Sequence, residues 1–202
     1  MPNKMNIVFD LGCVLIDWNP HKVLDRRYTD TAHHDLLKQS IFYHPDWLAL
    51  DRGTLTEEDA ITNFHLRTGF APDEIAELLQ EIRESLTPKE ETWALLYELH
   101  QQGHPLYCLS NMPASTFAFL KSQYDRWHVF QGIVISGEIG MMKPDLEIFE
   151  HLLNSFNLKP EQTVFIDDLE VNVLGARQAG MHAIQFINAD ECKQELEKVL
   201  QN

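Results

Sequence analysis

The sequence predicts an α/β fold: a doubly wound, Rossmann-like parallel sheet with a small all-helical domain inserted near its start. Three observations carry this. Residues 6–15, Asn-Ile-Val-Phe-Asp-Leu-Gly-Cys-Val-Leu, read as a short buried strand that ends in a carboxylate and turns at Gly12. From Thr87 onward, short apolar runs alternate with amphipathic stretches of helical length. Between residues 20 and 86 the strand signals vanish and apolar spacing is helical throughout.

The helical insert is expected to hold helices over residues 20–28, 31–43 and 72–86. A short apolar piece at 46–50 is broken by Asp51-Arg52-Gly53-Thr54. Thr56, with Asp59 three residues later, reads as a helix start. Beyond Pro88 the expected order is helix 90–101, strand 105–109, helix 113–124 and strand 130–136. A loop at 137–143 leads to helix 144–156, strand 163–166, helix 172–179, strand 182–186 and helix 190–201. Residues 1–18 and 87–202 are thus read as the core domain and 19–86 as a helical cap domain. Strands joined by helices lie parallel, and ligands bind beyond their C-terminal ends. The polar residues that stand out, Asp10, Ser110, Asn111, Asp167 and Asp168, fall at those ends, and Lys143 in the loop after the 130–136 strand.

Composition narrows the partners. The chain has 202 residues, 31 acidic and 16 basic, for a formal charge of -15. Such a surface repels nucleic acid and anionic membranes, so an anionic substrate requires a local positive site. No apolar run is long enough to span a bilayer. The first residues lack the apolar core of a signal peptide, and three scattered cysteines, Cys13, Cys108 and Cys192, make neither a disulfide framework nor a zinc site. A cytoplasmic protein with reduced thiols is the expectation. Nothing in the sequence fixes the oligomeric state.

Four strand ends therefore converge a carboxylate, a hydroxyl, an ammonium and a carboxylate pair. Asp10 with Asp167 and Asp168 is an all-oxygen set that suits Mg²⁺ rather than zinc. Left unneutralised, the carboxylates raise one another's pKa. Ser110 and Lys143 add a hydrogen-bond donor and a fixed positive charge, as phosphoryl transfer requires.

In Phe9-Asp-Leu-Gly-Cys-Val-Leu15, Leu109-Ser-Asn111, Gly140-Met-Met-Lys-Pro144 and Val164-Phe-Ile-Asp-Asp168 with Asn172, the chain resembles the haloacid dehalogenase-like hydrolases, in particular their helical-cap phosphatases. Its nearest likeness there is to bacterial alpha-D-glucose-1-phosphate phosphatases and to the N-terminal phosphatase domain of soluble epoxide hydrolases. The resemblance implies that Asp10 attacks phosphorus and forms an aspartyl phosphate, which water hydrolyses. It implies Mg²⁺ on Asp10, the Gly12 carbonyl and Asp168, with Asp167 binding directly or through water and Asn172 orienting the ligands from outside. Leu11, Gly12, Ser110, Asn111 and Lys143 are implied to contact the substrate, and Lys143 to tie the phosphate to Asp10. Arg52, in the cap loop, is a further candidate to face the substrate. Asp17, near the hinge, is read as structural.

The sequence departs from that pattern at one position. Most phosphatases of this kind carry a general-acid Asp two residues after the nucleophile, and here the position is Gly12. Such an acid contributes about 10²–10⁴-fold. Either the protein is a metal-independent 2-haloacid dehalogenase, since a halide leaves without a proton, or its leaving group needs little protonation, as in a sugar-1-phosphate. The retained Asp167-Asp168 pair argues for Mg²⁺ and against dehalogenation. A signalling receiver domain carries its acidic pair at the first strand, not late. A binding protein without catalysis is the remaining alternative.

Overall fold

In the computed structural model, which describes residues 4–201, the chain builds a five-stranded parallel sheet flanked by helices on both faces. The chain order is β1 (Asn6–Phe9), β2 (Ile16–Asp17), α1 (Pro20–Arg27), α2 (Thr31–Leu37), α3 (Pro45–Arg52), α4 (Glu57–Thr68) and α5 (Pro72–Glu84). It continues through β3 (Thr87–Pro88), α6 (Glu90–Gln101), β4 (Leu106–Ser110), α7 (Ala114–Gln123), β5 (Gly132–Ile135), α8 (Ser136–Ile139) and α9 (Leu146–Ser155). It closes with β6 (Thr163–Asp167), α10 (Glu170–Gln178), β7 (His182–Gln185) and α11 (Ala189–Leu200). The large sheet runs β5-β4-β1-β6-β7, every pair parallel.

Strand alternation sorts the core into two layers. Ile7, Phe9, Cys108 and Ile166 pack against Leu96 of α6, Leu120 of α7 and Leu196 of α11. Val8, Tyr107, Leu109 and Phe165 face the other way, onto Phe149 of α9 and Ala176 of α10. The chain leaves β1 towards β4 and later leaves β6 towards β7, so connections diverge between β1 and β6. A crevice opens at such a switch point. Phe9 pairs with Ile166, and the Asp10 amide donates to the Ile166 carbonyl at 2.9 Å. That register brings Asp10 beside Asp167.

Between β2 and β3 the helices α1–α5 surround an apolar cluster of their own, which includes Val23, Leu37, Ile41, Phe64, Leu78 and Ile82. The outgoing and returning chain pair as a two-residue antiparallel ribbon, Ile16 with Pro88 and Asp17 with Thr87. Residues this short carry no periodicity, and the sequence reading has no strands there. The Leu15 carbonyl anchors the ribbon to the sheet layer by accepting from the Lys89 amide and from the Trp93 indole, both at 2.9 Å.

Other departures are local. The expected helix 31–43 is α-helical only to Leu37 and continues as a π-helical turn over Lys38–Phe42. The 46–50 piece runs on through Asp51 and Arg52, and Gly53 ends it with φ +77°, a left-handed stop that favours glycine. The expected strand 130–136 is shorter. Trp127–Val129 form a 3₁₀ turn, Phe130 packs onto Trp93, and Ser136 starts α8. Helix 144–156 begins only at Leu146.

Phe149 is fully buried and meets Phe165 edge-on, with ring centres 5.5 Å apart. Replacing it by alanine removes packing from the layer beneath the crevice. Phe149→Ala is expected to cost about 3–5 kcal/mol, read as a lowered urea midpoint at an unchanged slope.

Candidate active site

Asp10 immediately follows β1, Asp167 ends β6, and Ser110 ends β4. Lys143 lies in the loop between α8 and α9. Its ammonium, almost wholly buried, sits 2.8 Å from Asp10 Oδ1 and 2.6 Å from Asp167 Oδ2, and donates to the Leu109 carbonyl at 3.1 Å. The Phe165 ring lies 5.2 Å from it. The backbone of Lys143 is clamped by Asn111. The Asn111 amide donates to the Lys143 carbonyl and its carbonyl accepts from the Lys143 amide, both at 2.9 Å. Both ends of the Asn111 side chain are thus engaged with the Lys143 main chain.

The acidic pair divides its roles. Asp167 is fully buried and accepts from Lys143 Nζ, from the Leu169 amide at 2.8 Å, and from Asn172 Nδ2 at 3.0 and 3.1 Å. Asn172 projects from the first turn of α10 and thereby fixes the carboxylate. Asp168 is only partly buried. One oxygen each of Asp10, Asp167 and Asp168 lies within 4.8 Å of the others. Asp10 Oδ1 is buried and, although 2.8 Å from Lys143, is not a directed hydrogen-bond acceptor.

One ammonium stands against three carboxylates, and the titration of the groups reflects it. Burial pushes Asp10 up to about 6; Lys143 opposes this and Asp167 reinforces it. Burial and the charge of Asp167 also raise Asp168. Burial works against the charge on Lys143, but Asp10 and Asp167 outweigh it and hold the ammonium above its ordinary value. The donors are all oxygen and the local charge is unbalanced towards negative, so the set fits a hard divalent cation such as Mg²⁺.

The remaining residues fall into place around this centre. The Leu11 carbonyl accepts from the amides of Val14, Leu15 and Ile16 at 2.8–3.2 Å, which folds the segment after β1 into a tight loop. Gly12 lies in that loop, and a β-carbon there meets nothing within 4 Å. The Ser110 hydroxyl makes no hydrogen bond among the described residues, although the residue is buried. Arg52 does not join the group. It pairs with Asp145 at 2.9 Å and so bridges α3 to the start of α9. Asp17 pairs with Lys22 at the helical insert's edge.

An apolar cavity of about 130 Å³ opens between this loop and the inserted helices. Gly12, Asn111, Trp18, Trp47, Leu79 and Asp51 are among the residues that line it. From the sequence, Asp51 has no expected role beyond ending the short apolar piece at 46–50. No spacing argument points to it, because its place depends on how α3 packs on α8.

A doubly wound sheet carries a carboxylate–ammonium–carboxylate centre at its switch point. Comparison with known proteins gives the family that shares this design. The model of the haloacid dehalogenase-like hydrolases matches residues 20–180, and the chain belongs to that family. It is similar to a sesquiterpene phosphatase of Aspergillus oryzae, 32% identical over 182 residues that cover 90% of this chain and 89% of that protein. The structure of a HAD-like family hydrolase from Porphyromonas gingivalis has a TM-score of 0.76 at 25% identity, covering 98% of each chain. A HAD family enzyme of Bacteroides thetaiotaomicron, crystallised with magnesium and inorganic phosphate, shares the fold with a TM-score of 0.73 at 20% identity, covering 91% of this chain and 94% of that one.

A carboxyl whose pKa is raised on folding binds its proton more tightly in the folded state. Its contribution to stability is complete below the unfolded pKa and is lost as pH rises through the folded one. For Asp10 the window runs from about 4 to about 6. Asp10→Asn is expected to flatten the fall of the urea midpoint across this window, and Mg²⁺ to raise the native midpoint more at pH 7 than at pH 5.

Proposed function

We propose that the protein is a Mg²⁺-dependent phosphatase of small phosphorylated metabolites that forms an aspartyl phosphate on Asp10. The observation that carries this reading is the buried Lys143 ammonium held between Asp10 and Asp167, with the partly open Asp168 beside them. Asp10, the main-chain carbonyl of Gly12 and Asp168 would hold the cation, which when bound neutralises charge on the phosphate. Asp167 keeps Lys143 and Asn172 in place, because its oxygens are already taken. Lys143 holds Asp10 ionised and oriented for attack on phosphorus. The free Ser110 hydroxyl is placed to donate to a phosphate oxygen. Asn111 acts one step back, by fixing the Lys143 backbone. The retained acidic pair weighs against the dehalogenase alternative.

In this reading residues 19–86 are the cap domain, tethered by the β2–β3 ribbon and closed over the site. Closure excludes water and brings cap residues to the leaving group. The cavity beside Gly12 is lined mainly by carbon, which favours a phosphate monoester with an apolar body. The name of the Aspergillus oryzae relative, a sesquiterpene phosphatase, is consistent with such a body. A sugar-1-phosphate, favoured by the acidity of its leaving oxygen, is the second reading. Free thiols at Cys13, Cys108 and Cys192 accord with a reducing cytoplasm. Among the described residues no helix is long and apolar enough to cross a membrane.

The test is hydrolysis of 4-nitrophenyl phosphate, an isoprenyl monophosphate and glucose 1-phosphate, each with Mg²⁺ and with EDTA. Turnover is expected only with Mg²⁺, to vanish in Asp10→Asn, and to favour the isoprenyl ester. A preference for glucose 1-phosphate would select the second reading. Turnover in EDTA, or in Asp10→Asn, would refute the mechanism.

A further inference from the structure

We infer that Asp51, carried on the cap helix α3, is the general acid and base of the reaction and takes the part that Gly12 leaves vacant. The inference rests on the phosphatase reading above. Asp51 and Gly12 line the same cavity, one from the inserted helices and one from the loop after β1. The space at Gly12 is open, so a leaving group can lie where an acid on that loop would stand, within reach of the cap. The Asp51 carboxyl takes no ion pair or hydrogen bond among the described residues.

The backbone that carries Asp51 is held in place. The Ser136 hydroxyl donates to its main-chain carbonyl. Just beyond it, Gly53 packs so closely on Gly137 that a β-carbon would stand 2.5 Å from the Gly137 carbonyl oxygen. Arg52 reaches Asp145 at 2.9 Å, and Glu57 accepts from the Ser115 hydroxyl at 3.1 Å. These contacts seat the C-terminal end of α3 and the start of α4 on the core, on the segments that follow β4 and β5.

Burial pushes the Asp51 carboxyl up to about 8, which favours its protonated form at neutral pH. The other charged groups of the cavity are Glu57 and Arg83, which pair with each other at 2.7 Å. Asp51 also lines a second pocket, together with His21 and Tyr43. On α3 itself, Asp46 is held by Arg67 at 2.8 Å.

The step balances. As Asp10 forms its bond to phosphorus, the ester P–O bond breaks and Asp51 gives its proton to the departing oxygen, which releases the alcohol. The Asp51 carboxylate then takes a proton from the water that attacks phosphorus. The acyl–phosphate bond to Asp10 breaks, phosphate leaves, and Asp51 is protonated again.

A leaving oxygen of low basicity hardly needs the proton, and an alkoxide does. Asp51→Asn is expected to lower kcat/KM about 10²–10⁴-fold for an alkyl phosphate and less than tenfold for 4-nitrophenyl phosphate. The alkaline fall in kcat/KM near pH 8 is expected to disappear with the carboxyl, and the melting temperature and its Mg²⁺ response to stay native. Asp51→Glu is expected to recover part of the alkyl ester rate. An equal loss on both esters, or no loss on either, would overturn the role of Asp51 while leaving the phosphatase reading intact. Failure of the native protein to turn over either ester with Mg²⁺ would overturn both.

Discussion

A single buried ammonium organises the active end of this molecule. Lys143 is drawn out of water between Asp10 and Asp167, and such a charge is tolerated only where partners compensate its lost hydration. The fold meets that demand from several strands at once. β1 supplies Asp10, β6 supplies Asp167, and β4 supplies the Leu109 carbonyl and, just past its end, the Asn111 clamp. The carboxylates depend on Lys143 in turn, since without it their mutual repulsion in a dry site would drive protons onto them. Stability and chemistry meet in this cluster: the charge imbalance that raises Asp10 and Asp168 is also what suits the three carboxylates to a divalent cation.

The sheet makes that cluster possible by register. Phe9 lies beside both Cys108 and Ile166, so the residues that follow emerge together at the edge where the connections diverge. Much of this was legible in the sequence. Asp10, Asp167 and Asp168 each follow an apolar run too short for a helix, and carboxylates at such strand ends have a limited set of uses. Lys143 could be assigned to a loop and, through the family resemblance, to Asp10; its contact with Asp167 comes only from the fold. The division between a fully engaged Asp167 and an open Asp168 likewise depends on α10, whose first turn brings Asn172 back onto the first carboxylate.

What the sequence hides is the relation of the inserted helices to the sheet. Helical spacing identifies which face of α5 is apolar, because Ile75, Leu78, Leu79 and Ile82 fall on one stripe. It does not say which helix end meets the core. The ribbon of β2 and β3 is two residues on each side, below any periodic signal, yet it fixes where the insert hinges. Arg52 illustrates the same limit. In sequence it is a candidate to face the substrate, with a solvated arginine as the alternative; in the fold it pairs with Asp145, where it fastens the insert to the loop that carries Lys143.

That fastening gives physical sense to an acid on the cap. An Asp two residues after the nucleophile stands ready whether the site is open or closed, and can protonate or activate water at any time. In the proposed reading, an acid on α3 is positioned by the contacts of Ser136, Ser115 and Asp145, which seat the inserted helices on the core. Burial raises Asp51 in a cavity whose lining includes Trp18, Trp47 and Leu79. The glycine at position 12 then follows as a consequence: with the proton delivered from above, the loop below serves best by leaving room.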